Sequence, residues 1–360
     1  MNRHAEAVLN GHPDKFCDLV ADRLVRQLYR ADPEAYAQIE VSVWSDILFL
    51  TGGAVTRKKA DLPVRDIIVQ LGLEIGYVPG NAIDVNRYRI LDHVCWIEGD
   101  PRQWTRYSND QCIVVGYAGY DALTHYLPPE QFLVWRFREA LIASMEEGLL
   151  QGQGPDGKLL VTMREDSEGW RPDTLLVTLQ QQESMSFLEL VDRTEQVLRE
   201  DWTEIRARDP RWKGEWSSIR VLVNPNGPLL NGGSDGDNGQ TGRKLVMDYY
   251  GPRIPLGGGA LYGKDLTHID RLGAYNARRF AVEMVKAGAK ESLVRVCYAP
   301  GLEEPLAVDI VSDRRPHEDP KVYFNFSNMR ERIDLRDMDY DLRRLGGFYN
   351  GGVGVNGGGL

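Results

Sequence analysis

The sequence NPNGPLLNGGSDGDNGQTGRK, residues 224–244, is followed after seven residues by PRIPLGGGALYGKDLTHID, residues 252–270. Eleven glycines fall between residues 224 and 270, and glycine lets backbone N–H groups approach a ligand closely. Successive N–H groups of this kind form anion-binding nests. The stretch is therefore predicted to bind a polyphosphate, most simply as a nucleoside triphosphate.

Charged side chains are interspersed with these glycines. Cations that would meet phosphate oxygens are Arg243, Lys244, Lys264 and, less clearly, Arg253. Carboxylates that could hold the accompanying divalent ion are Asp235, Asp237, Asp265 and Asp270. Residues 258–264 fit the first part of a Walker loop, but an aspartate follows where that loop needs a Ser or Thr hydroxyl. The phosphate site thus belongs to another fold, unless the stretch is the flexible linker that glycine-rich segments often form.

Composition narrows the class of protein. The chain has 360 residues, which suits two or three domains or one body of repeated units. Its formal net charge of −10 argues against nucleic acid as a partner. The four cysteines are scattered without a CxxC pair, which is typical of a reducing cytosol. We find no signal peptide and no apolar run of the ~20 residues a membrane span needs. We therefore expect a soluble, cytoplasmic protein without a membrane partner.

A second motif, GHPDK at residues 11–15, opens a predicted helix. Apolar residues recur every four positions over residues 16–28, which indicates an amphipathic helix with Pro13 in its first turn. In one interpretation His12 and Lys15 contact phosphate and Asp14 binds a metal ion. In the other, His12 caps the helix and Asp14 complements the helix dipole.

The rest of the chain alternates predicted strands and helices. Hairpins are predicted at 39–53 and 159–180, helices at 63–77, 128–150, 186–206 and 269–285, and further strands at 113–117, 218–223, 293–298 and 305–311. Residues 83–112 are predicted to be irregular and, with several aromatic residues, resemble a lid or a ligand wall. Glu40 lies within the first hairpin, where it either faces solvent or binds a cation. The pattern predicts repeated α+β units with helices packed on sheets.

Taken together, these motifs resemble the S-adenosylmethionine synthetase family, also called methionine adenosyltransferases. The matching words are GHPDK with its DxxAD helix (11–22), DQCIVVGYA (110–118), PDGK (155–158), NPNG (224–227), GDNGQTGRK (236–244) and GGGALYGKDLTHIDR (257–271). The resemblance implies an α+β fold of three similar subdomains, with helices on antiparallel or mixed sheets about a pseudo-threefold axis. The expected subdomains are 1–105, 106–230 and 231–345, followed by a flexible glycine-rich tail at 346–360.

The resemblance also implies a reaction. The sulfur of methionine would attack C5′ of ATP, and the released triphosphate would be hydrolysed to phosphate and pyrophosphate, with Mg²⁺ and K⁺ as cofactors. A thioether carries no proton to remove, so the work is alignment and charge stabilisation rather than general base catalysis. A homodimer or homotetramer with active sites at the subunit interface is expected. Two alternatives stay open, namely a relative that uses a different thioether, and a non-catalytic ATP-binding paralogue that serves as a partner subunit.

Individual roles follow from the resemblance. His12 would polarise the bond to the leaving triphosphate. The other predicted catalytic residues, which would clamp the phosphates of ATP, are Lys158, Arg243, Lys244 and Lys264. The further predicted substrate and ATP contacts are Lys15, Gln103, Asp110, Asp156, Asp237, Ala260 and His268. The predicted metal ligands are Asp14 and Asp270 for Mg²⁺ and Glu40 for K⁺.

Departures from the family pattern concern the acceptor. The family's GGE, whose carboxylate meets the methionine ammonium, reads GGA at residues 52–54. The lysine four residues after the GKD lysine is His268. The lid before Asp110 is shortened, with Gln103 as the stand-in for the family's methionine-contacting glutamine. The residues predicted to bind phosphate and metal thus match the family pattern better than those predicted to bind the acceptor. The identity of the thioether is left open.

Overall fold

The computed structural model describes residues 1–79 and 83–332 of the chain. Eleven strands in this part are β1 (Asn2–Val8), β2 (Tyr36–Trp44), β3 (Ile47–Thr56), β4 (Arg89–Glu98), β5 (Cys112–Gly119), β6 (Gln153–Asp166), β7 (Gly169–Gln181), β8 (Arg220–Val223), β9 (Gly239–Gln240), β10 (Glu291–Tyr298) and β11 (Ala307–Ser312). Nine α-helices in the same part are α1 (Pro13–Ala31), α2 (Val64–Ile75), α3 (Arg102–Thr105), α4 (Pro129–Glu146), α5 (Phe187–Arg208), α6 (Leu245–Asp248), α7 (Ile269–Lys286), α8 (Pro320–Tyr323) and α9 (Phe326–Arg332). The predicted tail at 346–360 lies outside the described residues.

Three sheets form the framework, and a helix of 18 or 19 residues packs directly on each of them. The first sheet has the order β4-β3-β2-β9, with α1 against β2. The second has the order β1-β6-β7-β8, with α4 against β1 and β6, and the third has the order β11-β10-β5, with α7 against β5 and β10. The parallel pairs β3–β4 and β7–β8 make two of the sheets mixed. The predicted α+β fold of three similar units is confirmed.

Strands from distant parts of the chain share these sheets. β1 pairs with β6, and this pairing sets Val8 opposite Lys158. β5 pairs with β10, and β9 pairs with β2. Each sheet therefore draws strands from more than one of the ranges 1–105, 106–230 and 231–345, and those subdomain boundaries stay a prediction. The crossings bring the PDGK and GDNGQTGRK motifs close to the GHPDK motif.

The helix α1 shows why the sequence folds this way locally. Phe16, Val20, Leu24 and Leu28 are fully buried against the first sheet, as the four-residue spacing predicts. The first turn of α1 is also buried on its polar side, because β9 and the residues after it lie over it. In the described part of the chain, no helix combines the length and apolarity needed to cross a bilayer.

The two predicted hairpins are confirmed as β2–β3 and β6–β7. The prediction that residues 83–112 are irregular is wrong, since ten of them form β4. β4 lies at the edge of the first sheet, parallel to β3, and only its Val94 is buried. A strand so exposed lacks the alternation of apolar and polar residues that marks a strand in sequence.

Candidate active site

Two of the long helices begin with the same arrangement of histidine and aspartate. At α1, Nδ1 of His12 accepts a hydrogen bond from the N–H of Asp14 at 3.2 Å. At α7, Nδ1 of His268 accepts one from the N–H of Asp270, also at 3.2 Å. All four side chains are buried, and both carboxylates lie at the positive end of a helix dipole. The chain therefore carries two similar helix N-termini, and a group of predicted site residues surrounds each one.

The first group is organised around Asp14. The side chain of Lys244 pairs with its carboxylate, and the guanidinium of Arg243 lies 3.4 Å from it. The backbone N–H of Gln240 donates a hydrogen bond to the same carboxylate at 2.9 Å. The glycine-rich residues 239–244 thus fold over the first turn of α1 and bring two predicted phosphate cations to it.

His12 can serve this group as a neutral hydrogen-bond donor. Burial, followed by the charges of Lys244 and Lys158, lowers the pKa of His12 to about 3. Because Nδ1 accepts from Asp14, the proton of the neutral ring is on Nε2. Nε2 is buried and has no hydrogen-bond partner among the described residues. A buried donor without a partner beside two lysines is suited to an anionic oxygen of a ligand.

Asp156 completes the first group from the PDGK motif. Its carboxylate accepts the N–H of Gly233 at 2.8 Å, which ties this motif to the glycine-rich stretch. Burial raises the pKa of Asp156 to about 6, and the nearby charge of Asp237 acts in the same direction. Lys158 and Asp237 are both exposed. The structure thus brings together seven predicted residues, which are His12, Asp14, Asp156, Lys158, Asp237, Arg243 and Lys244.

The second group surrounds Asp270. The side chain of Lys264 pairs with the Asp270 carboxylate. One ligand atom from each of Asp110, His268 and Asp270 lies within 4.8 Å of the other two. Burial raises the pKa of the Cys112 thiol, and the adjacent Asp270 raises it further. Four predicted residues, Asp110, Lys264, His268 and Asp270, are therefore close together here, with Cys112 as a neighbour that the sequence reasoning missed.

Residues 263–268 are fixed against β2. Asp265 accepts a hydrogen bond from the N–H of Ala37 at 3.2 Å and donates its own N–H to the carbonyl of that residue at 2.8 Å. A bridge between Lys264 and Gln38 continues this pairing. Burial lowers the pKa of His268, with Lys264 contributing to the decrease. Asp265, which we expected to bind a divalent ion, instead holds backbone N–H groups.

Glu40 lies between the two groups. Burial raises the pKa of Glu40, while a hydrogen bond from Thr241 and the charge of Lys264 oppose that increase. Ala260 lies against Gly242, where an added Cβ would be 3.1 Å from the methyl group of Ala260. Within residues 1–79 and 83–332, no hydrogen bond or ion pair joins a side chain of the first group to one of the second. The two groups are therefore neighbours on one chain that are not directly bonded to each other.

Lys15 does not face the first group. It is fully buried, and its Nζ lies 3.0 Å from Asp18 and 2.7 Å from Asp248. Both of these aspartates were missed by the sequence reasoning. The available signal was the four-residue spacing of Asp14, Asp18 and Asp22, which puts three carboxylates on one side of a helix. Lys15 therefore ties α1 to α6, and its assignment as an ATP contact stays a prediction that this burial does not support.

One residue predicted to contact the acceptor lies on the wall of a cavity. Gln103 is exposed on α3 and lines a cavity of about 1140 Å³ together with Trp104 and Asn109. Asn109 is fixed beside the second group, because its side-chain oxygen accepts the N–H of Ile269 at 3.2 Å. The cavity therefore extends the second group toward α3, where an acceptor could enter.

Position 54 is not on the open face of its sheet. Ala54 is 2% exposed and pairs with Ala37, whose side chain is also buried. The preceding residue, Gly53, pairs with Gln38, and a Cβ added to Gly53 would meet no atom within 4 Å. A carboxylate could therefore reach solvent from position 53 but would be buried at position 54.

A three-unit α+β fold with cations and carboxylates gathered at two helix N-termini suits an enzyme that binds a phosphate-bearing substrate. Sequence models of the S-adenosylmethionine synthetase N-terminal and C-terminal domains match residues 2–95 and 231–338. The chain belongs to the S-adenosylmethionine synthetase family and makes S-adenosylmethionine, so it is an enzyme rather than a non-catalytic paralogue.

Individual relatives cover nearly the whole chain. The S-adenosylmethionine synthase of Prochlorococcus marinus is 32% identical over 95% of this chain and 89% of its own length. That of Mycobacterium ulcerans is 32% identical over 93% of this chain and 89% of its own. The fold is shared with an unusual S-adenosylmethionine synthetase from Campylobacter jejuni, with a TM-score of 0.81 and 22% identity over 96% and 94% of the two chains. Enzymes of this family depend on metal ions.

Proposed function

We propose that each active site is a composite, in which the first group of one subunit faces the second group of another copy of the chain. ATP and methionine are the substrates, and sulfur attacks C5′ of ATP. The observation that carries this proposal is the pair of His-capped helix N-termini. Each presents a buried carboxylate paired with a lysine, and in the described part of the chain no hydrogen bond or ion pair joins the two groups.

The first group would hold the leaving triphosphate. The Nε2–H of His12 would donate to an oxygen at the breaking bond, and Lys158, Arg243 and Lys244 would bind the phosphate oxygens. Charge develops on the triphosphate as sulfur approaches carbon, so donors and cations held in place around it favour the transition state. Lys264 of the second subunit would add a further cation. The sulfur needs no base because a thioether has no proton to lose.

The donor set also fits metal ions. Asp14 and Asp270 would hold Mg²⁺, because each is a nearly buried carboxylate whose charge is offset, among the described residues, by lysine or arginine side chains that an Mg²⁺ ion could replace. Bound Mg²⁺ supplies positive charge to the triphosphate. Glu40 would hold K⁺, since it is partly buried and lies next to residues of both groups.

The open faces of the sheets would form the subunit interface. Trp44, Phe49 and Ile97 are 57%, 39% and 46% exposed on the face of the first sheet that points away from α1. Ile113 and Val311 are 53% and 54% exposed on the third sheet. Exposed apolar side chains on neighbouring strands are typical of a protein interface. The assembly would be a homodimer, alone or paired into a homotetramer.

A cytoplasmic location is part of the same proposal. All four cysteines are unpaired. Unpaired cysteines are usual in the reducing cytosol, where disulfides are rare.

Mixed dimers test the composite site. We expect His12→Ala and Lys264→Ala each to reduce single-turnover adenosyl transfer by on the order of 10². In a dimer that contains one copy of each variant, one site receives both changes and the other receives neither. Subunit exchange in an equal mixture should therefore restore about a quarter of wild-type activity, given twofold symmetry.

Two results would contradict the proposal. If exchange occurs, as measured with differently tagged subunits, and activity is not restored, both groups act within one subunit. If both single variants keep near-normal single-turnover rates, the residue assignments are wrong. Circular dichroism of each variant supplies the control for folding.

A further inference from the structure

One arginine of α9 joins three separate segments of the chain at the cavity that Gln103 and Trp104 line. A guanidinium nitrogen of Arg330 donates to the carboxylate of Glu34 at 2.7 Å, and another donates to the carbonyl of Thr105, the last residue of α3, at 3.3 Å. Arg330 and Glu34 line the same cavity. We propose that Arg330 is a positioning residue for acceptor binding, because it holds α3 and thereby Gln103 in place. This inference rests on the proposed use of methionine and on the predicted contact of Gln103 with it.

The helix that carries Arg330 is firmly packed. Phe326 and Met329, in the same helix α9, are buried, and the side chain of Asn276, in α7, donates to the carbonyl of Met329 at 3.4 Å. The N-terminus of α7 carries Asp270 of the second group. Packing of α9 on α7 therefore gives Arg330 a defined place relative to that group.

Glu34 lies in a turn that hydrogen bonds also hold. Asp32 is buried at the end of α1 and accepts the N–H of Glu34 at 3.0 Å and the N–H of Arg57, just after β3, at 2.8 Å. Arg330 thus meets a carboxylate on a fixed turn and a carbonyl at the end of α3. The rigid fork of a guanidinium can bind both at once, whereas a lysine presents a single nitrogen.

The segment that Arg330 holds is seated on β2. The indole of Trp104 stacks on the ring of Tyr36, the first residue of β2, with the centroids 5.9 Å apart. The next residue, Ala37, donates its N–H to Asp265, which is adjacent in sequence to Lys264 of the second group. α3 and the second group therefore share one strand as support. Release of α3 would displace Gln103 relative to the second group, and binding is sensitive to displacements of positioning groups.

The exposure of the ion pair indicates a local role. The side chains of Arg330 and Glu34 are 30% and 32% exposed. Ion pairs as accessible as this contribute little to overall stability. Their loss should therefore release α3 without unfolding the chain, whereas a general structural role would lower stability and weaken the binding of both substrates.

Arg330→Met, Glu34→Gln and the double variant test this inference, with Arg315→Met as the control at an exposed arginine. We expect Arg330→Met to raise the KM for methionine by about tenfold, an effect within the range for contacting residues. The KM for ATP and the urea unfolding midpoint should stay close to those of the wild type. The double variant should bind methionine no more weakly than Arg330→Met, because both remove the same ion pair. Arg330→Lys should restore methionine binding only in part, since lysine lacks the fork.

Hydrogen–deuterium exchange gives a readout that does not depend on activity. Backbone amides of residues 102–107 should exchange faster in substrate-free Arg330→Met than in the wild type or in Arg315→Met. Unchanged exchange in this segment would overturn the inference. A fall in the unfolding midpoint together with a rise in both KM values would also overturn it, because that result shows a general structural role.

Gln103→Ala, measured beside these variants, separates the inference from the proposed function. If Gln103→Ala raises the KM for methionine and Arg330→Met does not, the positioning role of Arg330 is wrong and the proposed function stands. A normal KM for methionine in Gln103→Ala would contradict the contact on which the inference rests, whatever Arg330→Met shows.

Discussion

Replacing Lys15 with methionine distinguishes a structural role of this GHPDK residue from the direct ATP contact that the sequence predicts. The Lys15 ammonium is fully buried between the carboxylates of Asp18 and Asp248, at 3.0 Å and 2.7 Å. Removing one partner from a buried ionic group costs about 3–5 kcal/mol, because the remaining charge has neither water nor a counter-ion. Burial already raises the pKa of Asp18 to about 6, and loss of the Lys15 charge would raise it further, so folding of the variant should be coupled to proton uptake at this carboxylate.

The same triad positions the residues proposed to bind phosphate. Asp18 accepts the N–H of Gly242 at 2.9 Å, and Asp248 belongs to α6 immediately after the site cations. Lys15 thus holds both ends of residues 242–248 against α1. A folded Lys15→Met enzyme should show weaker ATP binding because this segment is released, rather than because a direct contact with ATP is lost.

Urea unfolding measures the loss of folding stability in Lys15→Met, and Lys59→Met is the control variant. Lys59 is exposed, so its replacement should change the free energy of unfolding by less than about 0.5 kcal/mol. The double variant Lys15→Met/Asp248→Leu should recover part of the stability, because it removes a carboxylate together with the cation. A Lys15→Met enzyme of normal stability with a strongly raised KM for ATP would refute this reasoning. It would favour the direct phosphate contact that the sequence predicts.

Further predictions concern the proposed K⁺ ligand, the binding of methionine, and two buried aspartates. Glu40→Gln should abolish the difference in activity between K⁺ and Li⁺ while the need for Mg²⁺ remains, and an unchanged K⁺ response would contradict the assignment. Gly53→Glu should lower the KM for methionine by about tenfold or more without changing that for ATP, because a hydrogen bond to an ammonium is worth ~1.5–3 kcal/mol. Ala54→Glu should instead lower the midpoint of thermal unfolding, since its carboxylate would be buried. Burial raises the pKa of Asp156 and Asp201 to about 6 in the folded state. The native state therefore binds more protons than the unfolded state between about pH 4 and 6, and the free energy of unfolding should fall as pH rises through that window. Asp156→Asn or Asp201→Asn should each make the free energy of unfolding depend less steeply on pH, as measured by urea titrations at a series of pH values. An unchanged pH dependence would show that the replaced aspartate does not contribute to it.

Local features of the site could be predicted because local residues determine them. The cap of α1 needs only a histidine before Pro13 and an aspartate after it, and the sequence shows both. The two interpretations of His12, as a cap and as a phosphate contact, turn out to be compatible. Nδ1 forms the cap, while Nε2 remains available.

Long-range features could not be predicted in the same way. Lys15 looks like a phosphate ligand in sequence, because nothing in residues 11–22 reveals that Asp248 will lie against it. The burial of Ala54 depends on the register between β2 and β3, which sets Ala54 opposite Ala37. β4 was missed because its stability comes from β3 rather than from its own apolar pattern.

The N-terminus of α4, the helix on the second sheet, explains why the chain has two such groups rather than three. α4 begins with two prolines and Glu130, whose carboxylate is buried at the helix N-terminus, where α1 and α7 present their aspartates. Its ionic neighbours are arginines of the same chain, Arg3 at 3.5 Å and Arg253 at 3.8 Å. Arg3 and Arg253 are in turn paired with Glu165 and Glu291, so protein groups already balance the charges at this end. At α1 and α7 the aspartates pair with lysines that lie on glycine-rich loops. Such a lysine can leave the carboxylate and bind a phosphate by rotating its side chain. A framework of three similar units thus leaves two helix ends open to ligand, and under the proposed composite arrangement twofold pairing of such chains would give one complete site for each subunit.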